Sequence, residues 1–247
     1  MITLDILYED DAIIAVNKPP RLLIVPDRWD RNLPTIQDML REYLRKKMVG
    51  EHPNIRVVHR LDKDTSGVIL LAKNVRAQAY LSKQFEKGEV SKTYYALVKG
   101  VMKENDGLIN LALSESTKTP GTVVVSKKGK KSITRFTVLE RFHDFTFVEA
   151  NPLTGRTHQV RVHLMAYGFP LAIDPIYGKT GPIYLSQLKK DYKPKGEVEK
   201  PLIDRLPLHA FRLSFRDPTE EKTLVLEAPL PRDIARTLKL LRKYAPL

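Results

Sequence analysis

Apolar residues run along this chain in short, sharply bounded patterns. ILYEDD followed by AIIAVNKPP predicts two short strands joined by an acidic turn and stopped by Pro19 and Pro20. Thr35 then caps a helix whose apolar residues Ile36, Met39, Leu40, Tyr43, Leu44 and Met48 fall at helical spacing, with Gly50 ending it. VILLAKN predicts a buried strand, and AQAYLSKQFEKG a second helix with Tyr80, Leu81 and Phe85 inward. KTYYALVKG, TVVVSKKGKKSITRFTVLERF and FTFVEANP alternate as strands do, with KKGKK as the tip of a hairpin. GRTHQVRVHLMAYG predicts a helix ended by Gly168, and the basic stretch from Lys179 to Arg205 a loop. LHAFRLSF and TLVLEAP are strands again, and PRDIARTLKLLRKY is a C-terminal helix. Interspersed helices and hairpin-length connections predict an α+β fold with a mixed, largely antiparallel sheet flanked by helices and loops. No repeat or linker divides the sequence, so the expectation is one catalytic-sized domain over residues 1–247.

Composition narrows the function. Lys and Arg outnumber Asp and Glu by 42 to 29, a formal charge of +13, which points to a polyanionic partner. Cysteine is absent, so disulfides and thiolate metal sites are impossible. The N-terminal MITLDILYEDD has neither the basic region nor the apolar core of a signal peptide. No apolar run is long enough to span a membrane, and a cytoplasmic protein is expected. A monomer is the simplest assembly.

Three polar clusters interrupt apolar elements: His59-Arg60-Leu61-Asp62, Lys92-Thr93-Tyr94, and Gly155-Arg156-Thr157-His158-Gln159. Each falls at the edge of a core element, where a scaffold can hold side chains in a cleft. The histidines (His52, His59, His143, His158, His163 and His209) are scattered, none makes an HExxH helix, and no metal is expected. HRLD is shared with the kinase catalytic loop, yet the chain lacks a glycine-rich phosphate loop, a DFG, a Walker motif and a GxSxG elbow. What remains is cofactor-free chemistry by a carboxylate acting on a polyanion.

The ordered set HRLDKDTSGVILLAKN, KTYYALVKG, LTGRTHQVRVHL, DPIYG, LHAFRLSF and EAPLP, preceded by ILYEDDAIIAVNKP, resembles the RluA family of pseudouridine synthases over nearly the whole chain. That resemblance implies the pseudouridine synthase fold and isomerisation of uridine in ribosomal or transfer RNA, with no cofactor. It implies Asp62 as the catalytic carboxylate, Tyr94 as the base-contacting tyrosine, Arg156 as the active-site arginine, and Arg60 as the residue inserted into the RNA stack. Lys127, Lys128, Lys130 and Lys131 of the KKGKK stretch are then candidate phosphate contacts, as are Lys189, Lys190, Lys193 and Lys195. Two departures from the family pattern fall outside the catalytic trio: Val25-Pro26 stands where His-Pro is common, and Ile173 where Gly often precedes the Asp of DPxYG. The extra N-terminal RNA-binding module of some relatives is not expected, because the first catalytic strands begin at once. Two alternatives remain at this level: a catalytically silent RNA-binding or ribosome-assembly factor on the same fold, and a hydrolase using Asp64 as a second carboxylate.

Overall fold

The computed structural model describes residues 4–26, 33–47, 54–194, 196, 198–220 and 222–247. In chain order the elements are β1 (Ile6–Glu9), β2 (Ile13–Lys18), α1 (Ile36–Lys47), β3 (Arg56–Val57), β4 (Ser66–Ala72), α2 (Val75–Lys87), β5 (Ser91–Lys99), β6 (Asp106–Asn110), β7 (Leu113–Glu115), β8 (Val123–Val125), β9 (Ile133–Arg141), β10 (Phe145–Pro152), α3 (Gln159–Ala166), β11 (Leu208–Arg216), β12 (Thr223–Glu227) and α4 (Arg232–Tyr244). They fall into two compact units, Met1–Lys92 with Ala210–Pro229, and Thr93–His209 with Leu230–Leu247.

In the first unit, β1 pairs antiparallel with β2, and β2 with β4 from Ile13↔Ala72 to Lys18↔Gly67. β11 lies beside β4 and carries β12 antiparallel, while the two-residue β3 pairs with the end of β4. Every residue of β4 is buried, as expected of an apolar run without alternation. Ile13, Ala15, Val68, Leu70 and Ala72 pack with Ala77 and Leu81 of α2. Both helices begin on side-chain caps. Thr35 Oγ1 accepts from the Asp38 amide at 3.1 Å, and Asn74 Oδ1 accepts from the Ala77 amide at 2.8 Å. The inward face of α2 is Ala77, Leu81 and Gln84, with Tyr80 and Phe85 only part-buried. Met48, Gly50 and His52 lie outside the described residues, as does Lys195.

In the second unit, β5, β10, β9 and β6 follow one another, all antiparallel. Alternation along β5 sorts its side chains by face. Ala96 and Val98 join Val148, Ala150 and the α3 residues Val160 and Leu164 in one core, whereas Leu97 joins Phe147 and the α4 residues Ile234, Leu238 and Leu241 in another. The mixed, largely antiparallel α+β class expected from the pattern is the one observed.

Two expectations need correction, and the expected loop from Lys179 to Arg205 gains an anchor. KKGKK is not the tip of a β8–β9 hairpin: β8 pairs with β7, and β9 with β10 and β6. A tight turn instead closes at Gly129, whose amide donates to the Ser126 carbonyl, and Lys130 pairs through its backbone with Leu113. A Cβ on Gly129 would lie 2.5 Å from the Leu113 carbonyl carbon, so the chain crosses β7 there without room for a side chain. The GRTH residues precede α3 rather than opening it. The Lys179–Arg205 stretch is pinned to the core by Ile183 and Ile203, which are buried and paired backbone to backbone. β3, β6 and β7 lie in segments where the pattern predicts no strand.

Candidate active site

Asp62 is part-buried at the start of the turn that feeds β4, and its carbonyl accepts from the Thr65 amide at 3.1 Å. Leu61 beside it is buried and Arg60 is exposed, so the loop turns Arg60 outward. Two side chains of the same unit hold this loop. Lys18, at the end of β2 and fully buried, donates to the carbonyls of Pro19, Leu22 and Lys63, each at 2.8 Å. Desolvating an ammonium costs several kcal/mol, about what charge-assisted bonds to three carbonyls can offset. The result fixes the Lys63–Asp64 peptide, one residue past Asp62, to the end of β2. His59 takes over where β3 leaves the ladder: its Nε2 accepts the Leu70 amide at 3.0 Å, and its ring stacks on Phe85 at 4.6 Å. Burial, and secondarily the charge of Lys92, push the His59 imidazole down to about 3. It is therefore neutral at physiological pH and serves as scaffold. Gly67, at φ 117°, lets β4 approach β11, since a Cβ there would sit 2.2 Å from the Ala210 carbonyl oxygen.

The other two catalytic candidates belong to the second unit. Tyr94 stands on β5 opposite Ala150, part-buried against the core that holds Ala96 and Val160. Arg156 is exposed on the loop between β10 and α3. The buried amide of Gln159 organises that loop. Its Oε1 accepts from the Arg156 amide at 3.1 Å and from the Thr154 hydroxyl at 2.8 Å. Its Nε2 donates to the Ile133 carbonyl at 2.9 Å and to Thr134 Oγ1 at 3.0 Å. All four hydrogen-bonding positions of the amide are thus used, and the backbone of Arg156 is fastened to β9.

DPIYG supports the same loop from the other side. Arg161 binds Asp174 bidentately at 2.8 and 3.0 Å, both side chains buried, and Asp174 Oδ1 also accepts the Ile176 and Tyr177 amides. Burial alone would raise Asp174, yet the Arg161 bond and these amides hold it below the ordinary carboxylate range. Tyr177, so placed, lies under the Arg161 guanidinium at 4.9 Å. Its hydroxyl accepts from the Val123 amide and meets His158 Nδ1 at 2.7 Å. His158 is left-handed, φ 55°, and ends the Arg156 loop. Lys127, Lys128, Lys130 and Lys131 are all exposed in this unit.

Sequence reasoning thus named Asp62, Arg60, Tyr94 and Arg156 but gave no role to Lys18 and Gln159, which fasten the backbone near Asp62 and at Arg156. A lysine closing an apolar strand before Pro19-Pro20 was the available signal for the first. Among the described residues no group of three or more metal-ligating side chains comes together.

A model of the RNA pseudouridylate synthase family matches residues 12–166, the stretch containing Asp62, Tyr94 and Arg156. The chain belongs to this family, the enzymes that isomerise uridine in RNA to pseudouridine. It is 36% identical over 240 residues to a Bacillus subtilis protein named as the uncharacterized RNA pseudouridine synthase YlyB, covering 97% of this chain and 73% of that one. It is 37% identical to the dual-specificity RNA pseudouridine synthase RluA of Vibrio cholerae, over 92% of this chain and 82% of that one. The solved human RNA pseudouridylate synthase domain containing 4 matches with a TM-score of 0.73 at 26% identity, over 96% and 93% of the two chains. Relatives named ribosomal large subunit pseudouridine synthase D are longer, and the chain spans 63–66% of three of them.

Proposed function

We propose that this chain, residues 1–247 acting as one catalytic domain, converts specific uridines of ribosomal or transfer RNA to pseudouridine in the cytoplasm. Asp62 is assigned as the catalytic carboxylate, Tyr94 as the residue that meets the base, and Arg156 as the active-site arginine. The reaction breaks the C1′–N1 bond, turns the uracil, and joins C1′ to C5. The C5 proton leaves and N1 gains one, so no redox partner or group donor is required. A carboxylate can serve this at the sugar as nucleophile or as base. A uridine stacked in structured RNA must first be extruded, at a cost of a few kcal/mol. Arg60 offers a planar, hydrogen-bonding group to fill the space it leaves.

The observation that carries this reading is the unbroken trio Asp62, Tyr94 and Arg156 within the family match. Its support includes the fastening of the backbone beside Asp62 by Lys18 and of Arg156 by Gln159. A pure RNA binder has no need of a carboxylate facing phosphates. Asp62→Asn tests the assignment, because both residues suit a turn and only the charge and nucleophilicity are lost. Single-turnover tritium release from RNA labelled at uridine C5 should fall to background, with folding and RNA affinity close to wild type. Near-normal release by the Asn variant refutes the role of Asp62, and release of free uracil by the wild type would make the chain a hydrolase.

A further inference from the structure

Helix α4 carries two opposite faces. Ile234, Leu238 and Leu241 are buried. Arg232, Arg236, Lys239 and Lys243, at positions i, i+4, i+7 and i+11, lie along the opposite side and are exposed. Successive cations on such a stripe rise by about 4.5–6 Å. Among the described residues none of the four is paired with a carboxylate. The acid of the first turn, Asp233, is taken bidentately by the buried guanidinium of Arg205 at 2.7 Å, and Glu140 is taken by Arg242. Beyond the helix end Lys189 extends the stripe, with Lys189 and Lys243 both over the ring of Tyr244, at 5.6 and 5.1 Å.

Helix stability does not explain this arrangement. Like charges at i,i+4 repel, and a cation in the first turn, such as Arg232, opposes the helix dipole. The solvent face of α1 shows what a merely soluble helix does here: Arg41 pairs with Asp38, Lys46 with Glu42, and Lys47 with Glu9. On α1 the charge is compensated within the protein. On α4 the four cations have no carboxylate partner among the described residues and stand open to a polyanion.

We propose that the α4 stripe, Arg232, Arg236, Lys239 and Lys243 with Lys189, is a contact surface for the phosphate backbone of a double-helical segment of the substrate RNA. This rests on the proposed action on RNA. A row of exposed cations on a rigid helix reads charge and spacing and no base, so it adds affinity and orientation for long structured substrates. A short single strand offers no such double-helical segment.

The test uses the full chain with R236Q/K239Q, which leaves the buried face intact, and R232Q/K243Q as a second pair from the ends of the stripe. Binding of a long RNA hairpin and of a short oligouridine is followed across a salt series, beside tritium release from labelled forms of each. For each pair the hairpin's log–log salt slope should fall by about 1.4–1.8, two contacts at about 0.7–0.9 each, while binding to the oligouridine stays as in wild type. An unchanged hairpin slope in both pairs overturns the proposal, and so does an equal loss on both RNAs. Loss of binding to phosphatidylserine vesicles with the RNA slopes unchanged also overturns it and assigns the stripe to a membrane surface. If the wild type releases tritium from no RNA, the catalytic reading fails, and the hairpin slope still decides the role of α4.

Discussion

His59 stands three residues before Asp62 and holds the start of its loop as a neutral acceptor. Its folded pKa lies below the ordinary 6.5, so in acid the unfolded chain takes up a proton that the native state refuses. Stability should be intact above about pH 6.5 and decline as pH falls toward 3, by about 1.4 kcal/mol per unit for this group. His163, lowered by burial, adds in the same direction. Urea midpoints at pH 7 and pH 5 should therefore differ, and by clearly less in His59→Gln, which keeps an oxygen for the Leu70 amide. An undiminished pH difference in that variant would show that His59 is already protonated when folded. Gln159 is the corresponding support for Arg156. Gln159→Ala should lower kcat by about 10²-fold through misplacement of the loop, with stability down by about 1–3 kcal/mol. RNA affinity should hardly change, because the phosphate contacts are untouched. A loss confined to KM would instead put Gln159 on the RNA. Neither support was legible as such in the sequence. Asp62, Tyr94 and Arg156 stand in contiguous motifs, whereas the roles of Lys18 and Gln159 depend on carbonyls and amides that folding brings from other segments.

At the scale of elements, what the chain spelled out plainly was its strongly periodic stretches. β2, β4, β10, α1, α2 and α4 all lie where apolar spacing predicts them, because burial on one or both faces leaves its period in the residues. Pairing left no such mark. VVV and ITRFTVLER alternate well enough to suggest a hairpin around KKGKK, yet β8 takes β7 as its partner. β7 is the short LSE, whose strand character comes from that neighbour rather than from its own side chains. Glycine was the overlooked guide, since Gly129 and Gly67 each mark a place where backbone meets backbone. Gly67 and Gly121 separate crowding from conformation. Both have positive φ, but an added Cβ meets Ala210 at 2.2 Å at the first and nothing within 4 Å at the second. Gly121→Ala should cost about 1–2 kcal/mol, the left-handed penalty alone. Gly67→Ala should add about 1–3 kcal/mol of overpacking. Equal melting shifts for the two variants would mean that β4 and β11 can move apart freely.

For the molecule as a whole, a charge of +13 and a catalytic site are different resources, and RNA modification needs both. Phosphate contacts supply affinity and register without reading sequence, while extrusion of the uridine and the reaction itself depend on specific groups, proposed to be those around Asp62. The two should separate under mutation. Lys130 and Lys131 are exposed on the segment that crosses β7, where the backbone of Lys130 is tied to Leu113. If they meet phosphates, Lys130→Ala with Lys131→Ala should weaken RNA binding and reduce the log–log salt slope by about 0.7 per contact on single-stranded RNA, with turnover at saturation retained. Arg60 is exposed beside Asp62; under the proposed role its loss removes one charge but chiefly the plane that fills the vacated stack. Arg60→Ala should therefore slow a structured stem-loop far more than a short unstacked substrate, because only the stem-loop has to be opened, and the salt slope should move by no more than one contact. Both variants, assayed by tritium release on both substrates, give opposite signatures under this division. Equal loss on the two substrates in Arg60→Ala would assign Arg60 to the chemistry or the fold, and an unchanged slope in the lysine variant would make that segment a solvated turn.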